Sequence, residues 1–97
     1  MSRRAAKIDD NQTEIVKALR KVGATVAITS QAGDGFPDLV VGYRNRNYLM
    51  EIKDSKKVPS KQKLTPDQVK FHSKWYGQIA IIKTVVEAIN LITEKEQ

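Results

Sequence analysis

The chain has 97 residues, with 17 Lys and Arg against 11 Asp and Glu, a formal charge of +6, one histidine and no cysteine. That length fits one domain with a modest core, and the missing cysteines exclude disulfides, thiolate zinc centres and cysteine nucleophiles. No apolar run approaches the roughly 20 residues that cross a bilayer, and the lone His72 cannot form a histidine-rich metal site.

Residues 1–8 read as a flexible basic arm carrying Arg3 and Arg4, and residues 9–97 as a single domain. Ile8, Ile15, Leu19 and Val22 recur at helical spacing. They predict a helix from about Asp10 to Val22, capped by Asp9 or Asp10 and ended by Gly23. "ATVAITS", Ala24 to Ser30, follows as a strand, and "QAGDGFP" as a glycine-rich loop. "DLVVGY" and "NYLMEIK" are strands joined by a turn at "RNRN". Residues 54–63 form a polar, lysine-rich loop. Thr65 caps a helix that has Pro66 at its first position and runs to about Tyr76, where Gly77 stops it. "QIAIIKT" is so continuously apolar that it reads as a central strand. A final helix, about Val85 to Lys95, is apolar far around its surface. The order α-β-β-β-α-β-α predicts an α/β sandwich: a three-strand meander, a crossover helix, and a fourth strand parallel to a neighbour in a mixed sheet.

Three charged residues sit in or beside the apolar strands of the hairpin. Alternation puts Glu51 and Lys53 on one face. With the turn closed so that Tyr43 faces Tyr48, Asp38 lies opposite Lys53 and Val40 opposite Glu51. The three charges then converge at one end of the hairpin. A one-residue slip would separate them. Two carboxylates at about 4 Å repel by around 4 kcal/mol at an effective dielectric near 20. A neighbouring lysine relieves part of this, and a divalent cation relieves more. Magnesium takes one or two carboxylates with water and phosphate oxygens, which suits hydrolysis of a phosphodiester. The alternative is an exposed salt-bridge face, since E-x-K alternation is common in half-buried strands. The apolar strands, the glycine-rich loop before Asp38 and the basic surroundings favour a site.

Pro37-Asp38 followed by Glu51-Ile52-Lys53 resembles the signature of the PD-(D/E)XK nuclease superfamily. "GDGFPDLVVG" before it and "LTPDQVKFH" after it resemble its virus-type replication-repair branch, the VRR-NUC domain, from about Glu14 to Ile92. The resemblance implies a restriction-endonuclease-like fold and phosphodiester cleavage dependent on Mg2+ or Mn2+. It implies that Asp38 and Glu51 bind the metal, with the Ile52 carbonyl as a further ligand, and that Lys53 is the catalytic lysine. Glu14 matches a supporting acid on the first helix, and Gln68 a polar residue on the helix after the core strands. Short stand-alone members resemble Holliday-junction resolvases acting as dimers in repair and recombination. A homodimer acting on four-way junctions is therefore expected, with the last helix as part of its interface. A flap or duplex-end nuclease and a non-catalytic DNA-binding module are the alternatives.

Each carry-over has an ordinary alternative. Glu14 could be a solvated helix residue, and Gln68, three residues after Thr65, also completes a capping box. The positive charge points to a polyanion, nucleic acid first. Candidate phosphate contacts are Arg3, Arg4, Arg44, Arg46, Lys56, Lys57, Lys61 and Lys63, which would position DNA without reading bases. His72 reads as a structural histidine, Phe71 and Trp75 as core, and Tyr43 with Tyr48 as a cross-strand pair. No aromatic ladder for stacking bases is evident. The N-terminus lacks a signal-peptide core, so a cytoplasmic location is expected, that of the host cell for a viral protein.

Overall fold

The computed structural model describes residues 9–94. The expected arm with Arg3 and Arg4, the Ile8 position and Lys95 lie outside the described residues. The elements are α1 (Gln12–Lys21), β1 (Thr25–Ile28), β2 (Leu39–Tyr43), β3 (Arg46–Ile52), a 3-10 turn (Pro59–Lys61), α2 (Pro66–Lys74), β4 (Ala80–Ile82) and α3 (Val85–Thr93). The sheet order is β1-β2-β3-β4, with β1, β2 and β3 antiparallel and β4 parallel to β3. This is the expected mixed α/β architecture. No helix among the described residues is long and apolar enough to cross a membrane.

The two faces of the sheet are covered differently. Alternation sends Leu39 and Val41 of β2, Met50 and Ile52 of β3, and Ile82 of β4 to one face. There they join Ile15 and Leu19 of α1 and Ala88 and Ile92 of α3 in one core, each at most 4 % exposed. Fully burying one such aliphatic side chain contributes about 1.5–3 kcal/mol, so this layer carries most of the stability. Most of the apolar surface of α3 is spent here, while Val86 points outward.

The opposite face carries Val40, Leu49 and Glu51, and α2 stands over its end without a single buried residue. Trp75 is 41 % exposed and Phe71 is half-buried, contrary to their expected place in the core. Nor is β4 central. It forms the edge of the sheet among the described residues, with Ile81 42 % exposed. Its apolar run reflects one face packed in the core and another left partly open.

The hairpin turn is tighter than "RNRN" suggests. Only Arg44 and Asn45 form it, with φ of 50° and 67°. Two central residues with positive φ define a type I′ turn, whose twist suits a hairpin. Tyr43 therefore pairs with Arg46, and Tyr48 with Val41 rather than Tyr43. The expected register is off by two residues. Because side chains alternate with period two, this slip leaves every residue on its expected face. Continuing the ladder one step beyond Leu39↔Met50 sets Asp38 across from Glu51 instead of Lys53.

Gly35 fixes where α2 can sit. Its φ is +78°, and a Cβ there would run into the Asp67 carbonyl oxygen at the start of α2. Gly33 has φ +84° but open space around it. Gly35→Ala should cost about 1–3 kcal/mol more than Gly33→Ala, the typical cost of overpacking, because both pay the left-handed penalty and only one meets backbone. Urea unfolding of the two variants checks this, and equal losses would contradict the close approach.

Candidate active site

Asp38, Glu51 and Lys53 come together at the end of the hairpin far from its turn. Asp38 sits just before β2, where Thr29 N–H donates to its carbonyl (2.7 Å) and Thr29 Oγ1 donates to the carbonyl of buried Pro37 (2.7 Å). Its side chain turns to β3, and Oδ2 accepts from Ile52 N–H at 2.8 Å. N–H and C=O of one extended residue point to the same strand edge. The Ile52 carbonyl therefore also opens toward Asp38.

Glu51 is 1 % exposed and Lys53 7 %. Gln68 of α2 joins them. Its Nε2 donates to Glu51 Oε2 (2.8 Å), and its Oε1 accepts from Lys53 Nζ (2.9 Å). The same Oε1 accepts from Thr65 N–H (2.9 Å), while Thr65 Oγ1 accepts from Gln68 N–H (3.2 Å). Gln68 thus completes the capping box and spans the charged pair at once.

The remaining Glu51 oxygen, Oε1, is buried without a hydrogen-bond donor. Burial first, then the neighbouring Asp38 carboxylate, push the Glu51 carboxyl up to about 9, while Lys53 pulls it down. With its pKa so raised, the Glu51 carboxyl holds a proton at neutral pH when no cation is bound. A divalent cation could occupy the same place. Among the described residues no three His, Asp or Glu form a cluster able to hold an ion. A cation here would therefore have the two carboxylates, the Ile52 carbonyl and water as its oxygen donors. That is a hard set suited to Mg2+ or Mn2+, and it fits the donorless Oε1.

Glu14 is not brought to this group. It lies on the exposed side of α1 and takes no part in the hydrogen bonds that join the others. The acid from this end of the chain that lies within charge range of the group is Asp9. Burial raises its pKa, and it feels Lys53, Asp38 and Asp54. Sequence reasoning also missed Asn11. It occupies the N-cap of α1, in place of the expected Asp9 or Asp10, without capping the helix. Its amide instead donates to the carbonyls of Lys53 (3.1 Å) and Lys83 (2.9 Å), tying the ends of β3 and β4 together. Asp54, 5 % exposed, closes the next turn by accepting from Lys56 N–H (3.0 Å). His72 is half-buried and its pKa is lowered, by burial first and then by the charge of Lys53.

The basic candidates divide by position. Lys56, Lys61 and Lys63 are exposed on the loop after β3, at the acidic end. Lys57 is bonded to Asp10 at 3.3 Å, which fastens that loop to the start of α1. Arg44 and Arg46 do not flank the acids. They sit at the turn, roughly 20 Å along the hairpin at the usual strand rise, and Arg44 lies over the Tyr43 ring, 5.0 Å from its centroid.

Comparison with known proteins agrees with this architecture. No family model and no curated protein matches the chain. Among solved structures it is similar to one described as a VRR_NUC domain, at 22 % identity and a TM-score of 0.62, covering 88 % of this chain and 92 % of that one. The fold is thus that of a VRR-NUC domain, a small restriction-endonuclease-like α/β sandwich.

Proposed function

We propose that this protein is a divalent-metal-dependent nuclease that hydrolyses phosphodiester bonds in DNA, acting as a homodimer on four-way junctions. The observation that carries the reading is the Asp38–Glu51–Lys53 group, in which Glu51 and Lys53 are buried and one Glu51 oxygen lacks any donor. The VRR-NUC fold and the +6 charge support it.

In this reading Asp38, Glu51 and the Ile52 carbonyl hold Mg2+ or Mn2+, which when bound supplies Lewis acidity and charge neutralisation. Lys53 presents a positive charge to the phosphate oxygens as negative charge develops on them. Gln68 fixes the Lys53 ammonium and keeps it from folding onto Glu51. Lys56, Lys61 and Lys63 meet backbone phosphates beside the site, and such contacts position a duplex without specifying sequence. A two-fold dimer would present two equivalent centres to two strands of a junction.

The test is a panel of end-labelled four-way junction, flap and blunt duplex, incubated with Mg2+ and with Mn2+ and mapped strand by strand. Paired symmetric nicks in the junction are expected. Asp38→Ala and Glu51→Ala should abolish them while leaving junction binding largely intact. Cleavage confined to flaps or ends would keep the centre and replace the substrate. No cleavage of any substrate with either ion would leave a DNA-binding module.

A further inference from the structure

An aromatic row leads away from the acidic group along α2. Phe36, two residues before Asp38, meets Phe71 edge-to-face at 5.4 Å, and Phe71 stacks on Trp75 at 5.2 Å with an interplanar angle of 18°. Gln68, Phe71 and Trp75 follow at helical spacing, so the row starts at the residue that bridges Glu51 and Lys53. At 1.5 Å per residue Trp75 lies roughly 10 Å beyond Gln68, about the span of three stacked nucleotides.

The outer end of the row is open. Trp75 is 41 % exposed and Tyr76 fully exposed. A cavity of about 240 Å³ beside them has Phe71 and Trp75 as apolar wall, Lys70 and Lys74 as cations, and Asp34 at its rim. Solubility does not call for a bare tryptophan and a bare tyrosine in succession. The Trp75 ring is also held in place. Its Nε1 donates to the Gln78 carbonyl at 3.1 Å, and a Cβ on Gly77 would press against the ring at 3.0 Å. The Gln78 side chain in turn accepts from Leu49 N–H (2.6 Å) and donates to the Leu49 carbonyl (3.1 Å). The platform is therefore anchored to β3, the strand that carries Glu51.

From these features we infer that Trp75, with Tyr76 beside it, is a stacking platform for a nucleobase unstacked at a DNA branch point next to the cut site, with Lys70 and Lys74 on its phosphates. This inference rests on the nuclease reading and adds a contact beside the centre: a base free to leave the stack where strands part or exchange. An aromatic face accepts any base, and lysines beside it neutralise the backbone, which is how single strands are held without sequence preference. A blunt, unbranched duplex offers no such face.

Trp75 is the only tryptophan in the chain, so its fluorescence reports the contact directly. The full chain, with EDTA present to prevent cleavage, is titrated with a flapped duplex and with a blunt duplex of equal length. Quenching by the flapped DNA and little by the blunt one is expected. Trp75→Ala should bind the flapped DNA roughly 10-fold more weakly, Trp75→Phe should recover most of that loss, and Tyr76→Ala should weaken binding without unfolding, since its side chain is fully exposed. Equal or absent quenching with the two DNAs would overturn the inference. So would a concentration-dependent blue shift in DNA-free protein, which would mean that a second copy of the chain covers Trp75. Quenching in the absence of cleavage elsewhere would leave the platform standing and remove the nuclease reading. Cleavage without selective quenching would do the reverse.

Discussion

Glu51→Gln is expected to lose cleavage by roughly a thousandfold, since several kcal/mol of cation-dependent stabilisation disappears with one ligand charge. The same substitution should make the fold more stable at pH 8. The two effects have one cause. Burial and Asp38 raise the Glu51 carboxyl from 4.5 to about 9 in the folded chain. The folded state therefore holds a proton that the unfolded chain releases above pH 4.5. Its stabilising contribution is complete below that pH and falls as pH rises toward 9, by at most about 1.4 kcal/mol per unit. Glutamine carries no such charge at either pH. Urea unfolding of both proteins at pH 5 and pH 8 should show little difference at the lower pH and an advantage for Glu51→Gln at the higher one. A variant less stable than the natural chain at pH 8 would contradict the charge conflict.

Lys53→Met should cut cleavage roughly 10²- to 10³-fold, as expected for removal of one preorganised positive group, and should also shift the pH dependence of cation binding. Lys53 is the group that lowers the Glu51 pKa against burial and Asp38. Without it the carboxyl rises further and keeps its proton to higher pH. A cation must displace that proton. Affinity for Mn2+, measured by calorimetry, should therefore climb with pH up to about 9 in the natural chain, and the climb should continue to higher pH in Lys53→Met. Overlapping curves would mean that Lys53 does not set the charge state of Glu51.

The hairpin acids were legible because alternation survives a wrong turn. "RNRN" lacks the Asn-Gly that usually marks a two-residue I′ turn, so the register was misplaced by two, yet Asp38, Glu51 and Lys53 kept their common face. Gln68 was legible through the family resemblance, and its capping box concealed nothing because one amide serves both tasks. The first helix was harder. Asp9 precedes the helix, so helical periodicity cannot orient it, and the family resemblance points to Glu14, which lies on the exposed side of the helix. Asn11 has the composition of a cap, but the carbonyls it bonds lie 42 and 72 residues away, and no local pattern encodes such partners. Trp75 misled for a related reason. The spacing from Phe71 suggests a buried stripe, but α2 ends at Lys74 and stands off the sheet, leaving the ring half in solvent.

Strand cleavage of a labelled four-way junction bears most directly on the centre, measured for the natural chain with Mg2+, with EDTA, and for Glu51→Gln with Mg2+. Cleavage in the first reaction alone is the predicted result. Equal cleavage in EDTA, or by Glu51→Gln, would show that the Asp38–Glu51 pair is not where the phosphodiester is cut.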